Sequence, residues 1–279
     1  MPSSKTTHPV PTSALRRALS DVSLLLLDLD GTTYVDNTPI PGALVFLRAV
    51  KDSGRSYVFL TNNSSRSAKD YRAKISRMGM PATAENVFTS GQATALHLTR
   101  KKKHPRVFLL GTPSLAQEFA EFGIVCVDEA DSCVDTVVVG FDTTLTYPRL
   151  EHACALVDKG VEYIATHPDM VCPIKDRRFI PDCGSFCRLI EHATGRRPSI
   201  VFGKPDAHIV DILCKQRGVA RRATVMVGDR LYTDIALGIN AGITSICVLT
   251  GETTRASLKR SRHRPDFVIN SIADLTGCL

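Results

Sequence analysis

The chain has 279 residues, 43% of them hydrophobic, which exceeds the ~100–200 residues of one ordinary domain and predicts two. No apolar run approaches the ~20 residues of a membrane span, and the nine cysteines, odd in number and without a signal peptide, predict a soluble cytoplasmic protein with free thiols. The net charge of +7 is dispersed and only 6% of residues are aromatic, so the balance fits anionic small molecules at least as well as nucleic acid, and neither nucleic acid nor a membrane is expected as a partner.

Residues 1–20 carry Lys5, Arg16 and Arg17 and no acid, a composition weakly like a transit peptide. Pro2, Pro9 and Pro11 weaken an amphipathic helix, so a disordered tail is expected there. The run Leu24-Leu25-Leu26-Leu27 has no polar break and reads as a parallel strand buried on both faces. It ends in Asp28 and Asp30, followed by Gly31-Thr32-Thr33. Two carboxylates at the end of a buried strand repel unless a cation lies between them, and ligands bind at the carboxyl edge of such sheets. A solvated acidic turn is the plainer alternative for this segment alone.

Helices are expected near 44–52 and over 66–80. Between them Tyr57-Val58-Phe59-Leu60 forms a second buried strand, ending in Thr61-Asn62-Asn63-Ser64-Ser65. These small polar side chains suit phosphate oxygens, and they also suit the cap of the following helix. A short strand at 86–88 leads to Thr89-Ser90-Gly91, read as a domain boundary, and a helix to about Lys102. A second α/β run then begins with 106–111 and holds strands at 134–139 and 162–166 and helices at 149–159 and 184–194. Cys183 and Cys187 lie one helical turn apart, but a metal there lacks a second close cysteine pair.

The strand 199–202 leads into Gly203-Lys204-Pro205, with Pro205 read as opening a helix over 206–217 and so fixing Lys204 at its entrance. Thr224-Val225-Met226-Val227 ends in Gly228-Asp229, with Asp234 close behind. Four strand ends thus carry Asp-x-Asp, Thr, Lys and a pair of Asp residues, all read as lying at one sheet edge.

In order and character these segments resemble the four motifs of the haloacid dehalogenase (HAD) superfamily, and within it subfamily IIA, the NagD and 4-nitrophenylphosphatase-like group. The likeness rests on Leu60-Thr61-Asn62-Asn63-Ser64, Gly203-Lys204-Pro205, Gly228-Asp229-Arg230-Leu231-Tyr232-Thr233-Asp234 and Gly238-Ile239-Asn240-Ala241-Gly242. It implies an α/β fold: a doubly wound, Rossmann-like parallel-sheet core over 21–90 and 199–279, with a large α/β cap inserted over 91–198. It also implies a phosphatase acting on small phosphate monoesters, of sugar phosphate, nucleoside monophosphate, phosphoglycolate or pyridoxal phosphate type.

By the same resemblance Asp28 is the nucleophile and Asp30 the general acid–base. Magnesium is held by the Asp28 carboxylate, the Asp30 backbone carbonyl and Asp229, with Asp234 outside the inner set. Thr61, Asn62, Asn63 and Lys204 bind phosphate. Thr166-His167-Pro168-Asp169 stands where the subfamily has Thr-Asn-Pro-Asp, so His167 and Asp169 are candidate substrate contacts from the cap, beside a structural role for His167. Rival readings are an inert phosphoacceptor, or a phosphotransferase or dehalogenase on the same scaffold. Oligomeric state, a homodimer included, is left open.

Overall fold

The computed structural model describes residues 12–128, 133–174 and 178–279. The chain divides into two compact units, one of Met1–Leu60, Ala73–Val87 and Pro205–Leu279 and one of Thr61–Arg72 and Phe88–Lys204.

The first unit is built on a six-stranded sheet in the order Phe267–Ile269, Thr244–Val248, Thr224–Gly228, Leu24–Leu27, Ser56–Thr61, Val87–Thr89. Leu24–Leu27 pairs in parallel with strands on both sides, and all four leucines are fully buried. This is why the run has no polar alternation. Successive strands lead away from Leu24–Leu27 in one direction and from Thr224–Gly228 in the other, so the order of winding reverses between them. Such a reversal point is where open α/β sheets bind ligands. Register places Leu27 opposite Val227, and Asp28 N–H donates to the Val227 carbonyl at 2.9 Å. The chain reaches Asp28 and Asp229 from this pair of strands.

The amino-terminal segment differs from the disordered tail expected over 1–20. Residues 1–11 lie outside the described residues, but Thr12–Leu19 is an α-helix. Leu15 and Leu19, four apart on one face, are buried at 3% and 0% exposure, and Arg16 donates to the Gly277 carbonyl at 2.7 Å. The prolines precede the helix and do not interrupt it.

The second unit has a five-stranded parallel sheet in the order Ile200–Val201, Glu162–Ala165, Thr136–Val139, Arg106–Leu110, Val125–Val127, and an antiparallel hairpin of Val171–Ile174 with Arg178–Pro181. Its core joins Phe108, Val137, Val139, Tyr163 and Ile190. The strand before Lys204 is expected in the core, its end at the same sheet edge as Asp28. It pairs instead with Glu162–Ala165 in this second sheet, Ile200 opposite Ile164. A two-residue apolar strand carries no signal for which sheet it joins.

The helix expected from Asp206 begins at His208, so Pro205 lies outside it. The Asp206 carboxylate accepts from the His208 N–H at 3.1 Å and delays the start.

Candidate active site

In the first unit Asp28, Asp229 and Asp234 each offer a carboxylate oxygen within 4.8 Å of the others, and all three are buried. Asp229 receives hydrogen bonds from the Glu252 N–H at 2.6 Å and the Thr32 hydroxyl at 3.4 Å. Burial first, and then the charges of Asp28 and Asp234, hold its carboxyl well above the usual carboxylate range. Three acids packed this way call for a cation. Glycines make the packing feasible: a Cβ on Gly31 would sit 2.6 Å from Asp229 Oδ2, and Gly251 and Gly228 are closer still to Asp229 and Asp234. Gly31 also has φ +86°, which a side chain would resist.

Asp234 reaches the cluster through a wide π-type turn, Leu231–Ile235, whose Asp234 and Ile235 N–H groups both return to the Arg230 carbonyl. Expected outside the inner set, its carboxylate offers an oxygen within 4.8 Å of those of Asp28 and Asp229, and its Oδ2 accepts from the Arg230 N–H at 2.9 Å. Asp30, by contrast, is half-exposed. It accepts from the Tyr34 hydroxyl at 3.3 Å and pairs with Lys74 Nζ at 3.8 Å, while the Lys74 ammonium also lies 4.0 Å over the Tyr34 ring.

In the second unit the side chains of the Thr61–Asn63 run have separate employments. Thr61 is buried, and its hydroxyl accepts from the Asn63 N–H at 3.2 Å. Asn63 turns its carbonyl oxygen to the Ser65 N–H and hydroxyl at 3.0 and 2.7 Å, an Asx-type turn. Asn62 clamps Lys204: its Oδ1 accepts from the Lys204 N–H at 2.6 Å, and its Nδ2 donates to the Lys204 carbonyl at 2.9 Å. The same Nδ2 donates to Asp169 Oδ1 at 3.1 Å. The clamp needs Gly203, with φ +79°, because a Cβ there would lie 2.7 Å from Asn62 Oδ1. Lys204 is thus fixed by an amide, where a helix start was expected. Its side chain is 2% exposed.

His167 and Asp169, expected to face a substrate, are buried beside each other and beside Asp182. Ser64 and Thr166 meet at 2.9 Å, and Ser64 also accepts from the Phe141 N–H. Thr32, Tyr34, Lys74 and the loop Thr250-Gly251-Glu252 take part without having been singled out from the sequence, the Thr250 hydroxyl donating to the Gly31 carbonyl at 2.6 Å. Only the loop carried a local sign, since the apolar run Ile246-Cys247-Val248-Leu249 ends in Thr250-Gly251, small residues such as follow other apolar runs here.

Residues 25–125 match the haloacid dehalogenase-like hydrolase family, and residues 201–275 a family described as HAD-hydrolase-like. The 5′-nucleotidase YutF of Bacillus subtilis is 36% identical over 249 residues, 89% of this chain and 95% of that protein. The chain belongs to the haloacid dehalogenase-like hydrolases. The crystal structure of a 4-nitrophenylphosphatase from Thermotoga maritima superposes with a TM-score of 0.89 at 47% identity, over 93% of this chain and 98% of that one. A glycerol phosphate phosphatase from Mycobacterium tuberculosis, solved in complex with calcium, gives 0.83 at 31% identity over 92% and 76%. These neighbours place the chain in the NagD and 4-nitrophenylphosphatase-type branch, subfamily IIA, with its α/β Rossmann-like core. It is a phosphatase of that family, a phosphoric monoester hydrolase. HAD phosphatases depend on a metal, and the acidic cluster fits a divalent cation.

Proposed function

We propose that the enzyme is a magnesium-dependent phosphatase of small phosphate monoesters that works through an aspartyl-phosphate on Asp28. The observation that carries this is the buried trio Asp28, Asp229 and Asp234, with Asp229 pushed toward its protonated form by burial and by its neighbours' charges. Asp28, Asp229 and Asp234, with the Asp30 backbone carbonyl, would hold the ion. All offer oxygen, which magnesium prefers. When bound, it supplies charge neutralisation for the transferring phosphoryl group.

In the first step a carboxylate oxygen of Asp28 bonds to phosphorus as the ester oxygen leaves, and Asp30 gives that oxygen a proton. In the second, Asp30 takes a proton from water as the water oxygen attacks phosphorus and releases Asp28. Tyr34 and Lys74 hold Asp30 for both steps. Lys204, clamped by Asn62, and Thr61 are assigned to the phosphoryl oxygens, whereas Asn62 and Asn63 support that set with side chains already bonded to protein. Residues 91–198 are assigned the role of a cap that governs access of the leaving group.

Relatives named for a nucleotide, a nitrophenyl ester and glycerol phosphate support a small phosphorylated metabolite as the substrate class. Among the described residues no helix is long and apolar enough to cross a membrane, and nine free thiols suit a reducing, cytoplasmic setting. The test is phosphate release from a panel of such esters, with magnesium and with excess chelator. Release that needs magnesium supports the proposal, and undiminished release in chelator removes the metal.

A further inference from the structure

The second unit holds a buried cluster that the phosphatase chemistry does not use. His167, Asp169 and Asp182 each offer one ligand atom within 4.8 Å of the others, at 0%, 6% and 3% exposure. His167 Nε2 stands 3.4 Å from Asp182 Oδ1, and Nδ1 stands 3.8 Å from Asp169 Oδ2. Among the described residues neither ring nitrogen has a hydrogen-bond partner, although both are fully buried. Buried imidazole nitrogens are ordinarily satisfied; an ion on one of these would leave the other as an N–H facing a carboxylate. At 3.4 Å the Nε2 and the carboxylate oxygen are near each other without the alignment of a hydrogen bond. Two ligands sharing one cation at about 2.0–2.2 Å each are separated by a similar distance.

We propose that His167, Asp169 and Asp182 form a second divalent-cation site, separate from the acidic centre of the first unit. One imidazole nitrogen with two carboxylates suits the manganese-to-zinc series better than magnesium, which favours an all-oxygen shell. The ligands are already held in place. Asp169 Oδ1 takes the Asn62 amide and leaves Oδ2 toward His167, while Asp182 Oδ1 accepts from the Cys183 N–H at 2.6 Å as the cap of its helix. The Gly184 N–H donates to the Asp169 carbonyl at 2.8 Å, and a Cβ on Gly184 would collide with the Pro168 carbonyl, so the 167–169 turn is pinned to that helix. Such outer contacts orient metal ligands. The ion also offsets the repulsion between the two carboxylates. Its effect reaches Lys204 through Asp169 and Asn62, a consequence that rests on the phosphate-binding role given to Lys204.

The experiment uses the full-length Asp28→Asn/Asp229→Ala double variant, in which the first acidic centre is disabled. Manganese(II) is titrated and the loss of the free-ion paramagnetic resonance signal is followed. One equivalent is expected to bind, and adding His167→Asn or Asp182→Asn is expected to weaken it by about tenfold or more. Cobalt(II) in the double variant should show visible ligand-field bands that change when His167 is replaced. Two further variants are used so that misfolding of one, seen by circular dichroism, leaves the other as the test. No manganese bound, or equal binding with and without His167 and Asp182, overturns the site. Neither result depends on phosphatase activity, so failure here and failure of the catalytic reading are distinguishable.

Discussion

At the scale of single residues, Asp30 and Asn62 carry the sharpest expectations. If Asp30 protonates the leaving oxygen, its loss matters most when that oxygen is a poor leaving group. Asp30→Asn is therefore expected to lower kcat/KM for an alkyl phosphate by ~10² or more. For 4-nitrophenyl phosphate, whose phenolate leaves without a proton, the loss should be much smaller. Equal losses on both esters would take the general acid role from Asp30. Asn62→Leu removes two hydrogen bonds to the Lys204 backbone and one to Asp169, and frees the lysine to shift. Misplacement of a phosphate-binding group by about 1 Å costs ~10²-fold, so a fall in kcat/KM on that order is expected for every ester alike. Unchanged kinetics, with the fold intact by circular dichroism, would show that the clamp does not position Lys204. The acids were legible from the sequence because Asp-x-Asp and Gly-Asp after apolar runs are local patterns. The job of Asn62 was not, because its partner is 142 residues away and an amide beside a threonine reads equally well as a phosphate ligand.

Among the elements, the least legible was the helix Pro113–Glu121, although Thr112 caps it and Pro113 opens it. Its apolar stripe is interrupted by Glu118, which is buried at 2% exposure and accepts from the Ala68 N–H at 2.6 Å and the Thr89 hydroxyl at 3.1 Å. A buried acid looks like a surface residue in a sequence. Burial pushes its pKa up to about 7, against an ordinary value of 4.5, despite the two hydrogen bonds that lower it. The folded chain therefore holds this proton between those values while the unfolded chain has lost it, so stability from this group falls as pH rises from about 4.5 to about 7. Glu118→Gln should flatten that dependence and raise stability at pH 8 relative to the parent, by at most on the order of 3 kcal/mol. Melting temperatures of both proteins from pH 5 to pH 8 check this. Parallel curves would mean that Glu118 does not carry the proton. The strand Ile200–Val201 shows the other limit: its apolar character was visible, but the choice of sheet depends on pairing with Ile164 and Ala165, which a two-residue run does not encode.

For the whole molecule, α/β alternation with motifs at strand ends was enough to reach the fold class and the family, because unbroken apolar runs such as Leu24–Leu27, each followed by a motif, recur in the family's order. Glu252 and Gly251 meet Asp229 through their backbone, so the part they play at the acidic cluster is only weakly marked in residue type. The metal expectation belongs at this scale, since it depends on strands from both ends of the chain meeting in one sheet. Asp229→Ala is expected to raise the magnesium concentration needed for half-maximal activity by about 10-fold or more, as loss of a carboxylate ligand weakens a site of few ligands. An unchanged magnesium titration would assign the ligand elsewhere. The central claim, a phosphoryl group carried on Asp28, is tested most directly by acid-quenching the enzyme during turnover with magnesium and mapping the peptides by mass spectrometry. A phosphoryl adduct on the peptide containing Asp28, absent from Asp28→Asn and accompanied by loss of turnover in that variant, is the predicted result. Turnover at the parent rate by Asp28→Asn, with no adduct on that peptide in either protein, would contradict it.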